Sequence, residues 1–142
     1  MALATMAVTL AVSAGAAAAQ SRGGEPVRVA GTYGATFSSV ANNCDGVGMN
    51  IATANVELSQ SAGRRISVTL PAVPIMSGVV NRTGKFKASV KRGKTAIAGV
   101  DGRFSVAGRV AKDTIQLLFI AEYFKGQKPL CTQSWNATGP RK

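Results

Sequence analysis

Histidine is absent from the 142 residues. Its absence removes the side chain that most often serves as a general base near neutral pH and as a metal ligand. Ser–His and Cys–His nucleophile pairs are excluded with it. Acids are scarce as well, with six Asp and Glu against 17 Lys and Arg. Asp45, Asp101 and Asp113 stand at turn signals, where Asp is expected for backbone reasons. Only Glu25, Glu57 and Glu122 remain, and no two carboxylates are singled out as an acid–base pair. A glycine-rich phosphate loop of the Walker type is missing. A Ser–Lys arrangement stays open, but no serine stands out for it. These absences predict a protein that is not an enzyme and needs no cofactor or metal.

Cysteine is limited to Cys44 and Cys131. Two thiols without histidine are too few for a metal site, and their separation is unlike the Cys-x-x-Cys spacing of redox pairs. In an exported chain two cysteines predict one intramolecular bridge. Closing a loop of this length constrains the unfolded chain by about 4–5 kcal/mol in the entropic view.

What is present begins with an uncharged Ala/Val/Leu run, MALATMAVTLAVSAGAAAAQ. It ends in Ala17-Ala18-Ala19, which fits the small-x-small rule for signal cleavage. The reading is a signal peptide over residues 1–19 and a single β domain over 20–142 with a mobile lead-in. No Lys or Arg precedes the apolar core, which is unusual for a signal. An uncleaved anchor is the rival, although the run is short for a bilayer. With cleavage, no transmembrane segment is expected, and the protein is secreted, periplasmic or held at the cell envelope. No acid or base precedes Arg22, so the whole net charge of +11 falls on the mature chain.

Strand-like stretches then alternate with turn signals. The first is Val27 to Phe37, followed by a loop from Ser38 to Gly48 that carries Cys44. Met49 to Leu58 is the next strand, and Ile66, Val68 and Leu70 alternate with Ser67 and Thr69. Ile75 to Val80 and a turn at Asn81 to Gly84 follow. Phe86, Ala88 and Val90 then point one way, with Lys85, Lys87, Ser89 and Lys91 the other, as a sheet with one wet face requires. Arg92-Gly93 is expected to turn the chain, and Asp101-Gly102 to form a two-residue hairpin turn. Thr114 to Phe124 is apolar on both faces. A strand from Cys131 to Thr138 and a basic tail close the chain. The pattern predicts an all-β antiparallel meander of about eight strands. A small up-and-down barrel is favoured, because the disulfide would tie first and last strands; a β-sandwich is the alternative.

Several short motifs carry a resemblance. They are Gly31-Thr32-Tyr33, Gly84-x-Phe86, Phe104-Ser105-Val106-x-Gly108-Arg109-Val110, and Pro129-Leu130-Cys131 leading to Ser134-Trp135-Asn136-Ala137-Thr138. With two cysteines, they make the chain similar to small secreted bacterial β proteins of uncharacterised function. The eight or so strands and early Gly-aromatic element are also similar to the calycins, the lipocalin and avidin group. Tyr33 stands where lipocalins carry tryptophan. The resemblance implies a bacterial, secreted β-barrel and brings no ligand with it.

The functional signal is a run of cations. Arg82, Lys85, Lys87, Lys91, Arg92 and Lys94 are interrupted by no acid. Lys85, Lys87 and Lys91 share one strand face, with Arg92 and Lys94 expected at the turn, a strip suited to phosphate, sulfate or carboxylate. The competing reading is a solvated face whose lysines oppose edge pairing. Aromatics are not interleaved with the cations, so specific nucleic-acid binding is not expected. Trp135 reads as core packing rather than as a ligand platform. The function expected is a non-enzymatic binding or surface-associated module for an anionic or small apolar ligand, with an anionic polymer or the envelope surface as partner. The alternatives are a structural envelope protein without a discrete ligand, and a secreted enzyme inhibitor presenting the Ser38 to Gly48 loop.

Overall fold

The computed structural model describes residues 27–142, so the expected signal segment lies outside the described residues. Eight antiparallel strands follow one another: β1 Gly31–Asn42, β2 Thr53–Gln60, β3 Arg65–Thr69, β4 Met76–Val80, β5 Lys85–Lys94, β6 Val100–Ala111, β7 Thr114–Lys125 and β8 Lys128–Pro140. Each pairs with the next, and β8 returns to pair with β1, closing the sheet into a barrel. No sheet edge remains open, and the sandwich arrangement is not adopted. Among the described residues no helix is long and apolar enough to cross a membrane.

Period-two alternation decides what enters the barrel. Along β7, Ile115, Leu117, Phe119, Ala121 and Tyr123 are buried, while Leu118 and Ile120 are outward and half-buried. Neighbouring strands stack these positions into layers that mix sizes. Ala88, Val106, Phe119 and Trp135 form one row in register, and Val90, Phe104, Ala121 and Gln133 another. Phe119 stacks on Trp135 with centroids 5.4 Å apart, and on Phe104 at 6.2 Å. The interior is therefore filled by side chains rather than open as a ligand chamber. Trp135 is core, as its sequence context suggests.

At two inward glycines, Gly78 and Gly139, a neighbouring strand comes too close for a side chain. A Cβ at Gly78 would overlap the Lys87 carbonyl, and one at Gly139 would overlap that of Gly34. These are the close backbone approaches for which a side chain leaves no room.

Several expected boundaries shift. β1 begins at Gly31 rather than Val27, and β8 spans Lys128–Pro140 rather than Cys131 to Thr138. β1 runs on through Ser38 to Asn42, so the loop that carries Cys44 lies over residues 43–52 rather than Ser38 to Gly48. β2 begins at Thr53 rather than at Met49. Arg92-Gly93 does not turn the chain: β5 continues to Lys94 across a bulge in which Lys91 and Arg92 oppose Arg103. Asp101-Gly102 lies inside β6 instead of forming a hairpin turn. Val100, Gly102, Phe104 and Val106 make one continuous inward row, and the burial of that row outweighs the local turn preference of Asp-Gly.

Candidate functional site

Strand order gives the barrel two unlike ends. The turns after β2, β4 and β6 and both described chain ends lie at one, and the loops after β1, β3, β5 and β7 at the other.

The first end is closed. Val29 is fully buried there. Its carbonyl accepts from the Tyr33 hydroxyl at 2.7 Å, and its N–H donates to Gln60 Oε1 at 2.9 Å. Arg141 Nη2 donates to Tyr33 Oη at 3.0 Å, with its guanidinium 5.4 Å from the Tyr33 ring centroid. Asp113 stands 3.4 Å from Arg141 Nε. Burial raises the Tyr33 hydroxyl above its ordinary value of 10.0, and the Arg141 charge opposes that shift.

This end is also basic. Arg64, Arg82 and Lys112 sit in or beside its turns, and Arg28, Arg141 and Lys142 at the described chain ends. Asp113 is the acid of those turns and ends among the described residues. A surface groove of about 510 Å³ runs along the outer wall here, lined by Arg64, Lys85 and Lys87 with Val79, Asn81 and Gly108. Lys85 on β5 stands directly across from Arg109 on β6, whereas Arg65 and Lys87 lie two strands apart with Val79 between them. Like charges in direct cross-strand register oppose folding. Among the described residues, ion pairs reach only Arg92, Arg103 and Arg141, so the groove cations have no acidic partner there. Side-chain bonds hold the turn beside them: Asn81 Oδ1 accepts from the N–H groups of Thr83 and Lys85 at 2.9 and 3.0 Å.

The cationic strip of the sequence is thus divided. Lys85 and Lys87 belong to the groove near the closed end. Lys91 is exposed in the bulge toward the loop end. Arg92 is no free cation at a turn: it packs 4.4 Å from the Phe124 ring centroid, bonds Asp101 Oδ2 at 3.1 Å and donates to the Gly126 carbonyl. Lys94 is exposed and lines the barrel mouth. Sequence reasoning missed Arg64 and Arg109 as partners of Lys85 because strand register, not chain proximity, brings them together.

At the loop end, the Cys44–Cys131 disulfide forms as expected and ties the β1–β2 loop to β8. Gln133, a buried polar side chain of β8, holds the same loop at Met49. The loop leaves an apolar cleft of about 410 Å³, lined by Met49, Val73, Pro74, Ile97, Phe104 and Tyr123 among others. Among the described residues no group of three His, Cys, Asp or Glu is placed to hold a metal ion.

No known protein family matches this chain, and neither a curated protein nor a solved structure matches it.

Proposed function

We propose that the chain is an exported, non-enzymatic binding module that attaches through its basic closed end to a phosphate- or sulfate-bearing polymer of the cell envelope. The uncharged alanine-rich leader and the Cys44–Cys131 bridge support export. The observation that carries the reading is the register of Lys85 against Arg109 beside Arg64 and Lys87, with no ion pair to any of them among the described residues. Cations forced together at a cost to folding are relieved when an anion neutralises them. The wider excess of Arg and Lys at that end would draw an anionic polymer in from a distance.

The test is retention on immobilised polyphosphate and on heparin, read as the salt concentration of elution. A variant carrying Arg64→Gln, Lys85→Gln and Lys87→Gln is expected to elute at clearly lower salt than the parent. The comparison carries Lys91→Gln, Lys125→Gln and Lys128→Gln, which removes the same charge from the loop end. It is expected to elute near the parent. Equal loss in both variants would reduce the effect to net charge and overturn the site.

The filled interior favours a second reading, an envelope-associated structural protein without a discrete ligand. Failure of the parent to be retained even at low salt would leave that reading in place.

A further inference from the structure

The loop end carries a different signal. Tyr123 is 4% exposed and lines the mouth cleft. Its hydroxyl has no hydrogen-bond partner among the described residues. A buried hydroxyl without a partner is costly, and native structures seldom retain one without a reason. At this level Gly93, Gly102, Tyr123 and Cys131 stand in register, and the two glycines contribute no side chain. The Phe104 ring leans back over Gly102, where a Cβ would come within 2.8 Å of it, and this ring forms part of the cleft wall. Tyr123 meets the same ring edge-on, with centroids 6.1 Å apart. Val73, Pro74 and Ile97 supply the apolar rim, with Ile97 40% exposed.

We infer that this mouth cleft binds one small, chiefly apolar molecule whose carbonyl or ether oxygen accepts a hydrogen bond from Tyr123 Oη. Size and lining suit such a ligand, since small-molecule sites combine an apolar wall of a few hundred cubic ångströms with one or two placed polar groups. Burial also holds the phenol above its ordinary value, so it stays a donor through neutral and mildly alkaline pH. The site shares Phe104 and Tyr123 with the packed interior and shares no lining residue with the basic groove at the other end.

The experiment uses neutral ligands, so that the cationic groove does not contribute. Binding of 2-nonanone and of nonane to the exported protein is followed by chemical-shift changes at the methyl groups of Val73 and Ile97. The ketone is expected to bind about tenfold tighter than the alkane, the difference one buried hydrogen bond makes. Tyr123→Phe keeps the ring and the fold, and is expected to abolish the ketone's advantage while leaving alkane binding unchanged. Ile97→Asn is expected to weaken both ligands. A parent that binds ketone and alkane equally, binds neither, or keeps its preference in Tyr123→Phe would overturn the inference. None of these outcomes touches the polyanion reading, whose residues lie at the opposite end.

Discussion

Gln133 grips Met49 by both of its backbone groups, donating from Nε2 to the carbonyl at 3.0 Å and accepting from the N–H at 2.8 Å. The amide thus mimics a strand partner and lays the β1–β2 loop across the barrel mouth. The fit is close: a Cβ on Gly48, already at φ 110°, would come within 2.5 Å of Gln133 Oε1. Gln133→Leu leaves both Met49 groups unpaired and is expected to cost about 2–3 kcal/mol in urea unfolding. Because the same loop walls the cleft, the variant should also weaken 2-nonanone binding. An unchanged midpoint would show that the clamp contributes nothing.

The disulfide acts on the same loop through the unfolded chain. Its cysteines are separated by 87 positions, and removing such a link is expected to lower stability by about 4–5 kcal/mol if chain entropy dominates. A Cys44→Ser, Cys131→Ser double variant measured against the oxidised parent in urea checks this. A loss below about 1 kcal/mol would mean that the unfolded chain is already compact.

Lys85 and Arg109 predict opposite signs for stability and binding. Lys85→Gln removes a cross-strand repulsion and is expected to stabilise the barrel by on the order of 0.5 kcal/mol at low ionic strength. The gain should fade in high salt, where the repulsion is screened. The same substitution should lower the salt needed to elute the protein from polyphosphate. Destabilisation by Lys85→Gln at low salt would contradict the register argument.

Tyr33 and Tyr123 both lie above the ordinary tyrosine value of 10.0, each chiefly because burial disfavours the phenolate. A raised value means that the folded state holds the proton more tightly than the unfolded state. The resulting stability is intact below pH 10.0 and is lost as pH rises beyond it. Thermal melts should therefore fall steeply on the alkaline side, and Tyr123→Phe should make that fall shallower. At neutral pH Tyr123→Phe is expected to be no less stable than the parent, since it removes an unpartnered hydroxyl. A lower melting temperature at pH 7 would reveal a hydrogen bond to that hydroxyl.

Much of the fold follows from local pattern. The alternation of Phe86, Ala88 and Val90 with Lys85, Lys87 and Ser89 sets inside and outside on β5, and the structure keeps it. The turn at Asn81 to Gly84 forms as its residues suggest, with Gly84 at φ 85°. Where local preference and burial compete, burial wins. Asp101-Gly102 is drawn into β6, while the hairpin between β6 and β7 turns on Lys112 and Asp113 at φ 51° and 60°. Those residues accept a conformation that favours Gly or Asn because the strands on either side are in register from Val100 to Lys125.

The amino-acid sequence by itself determined an all-β chain with a leader-like start, a cationic excess and two cysteines available for one bridge. Those properties depend on composition and on neighbours one or two residues apart. Which cations meet, and which polar groups are left without partners, was decided only by closure of the barrel. Lys85 faces Arg109, and Gln133 faces Met49, across 24 and 84 positions of chain. Tyr123 stands in register with Gly102, and Gly102 with Gly93, on neighbouring strands. Such relations depend on register, bulge position and ring closure, which are cooperative properties of the whole sheet.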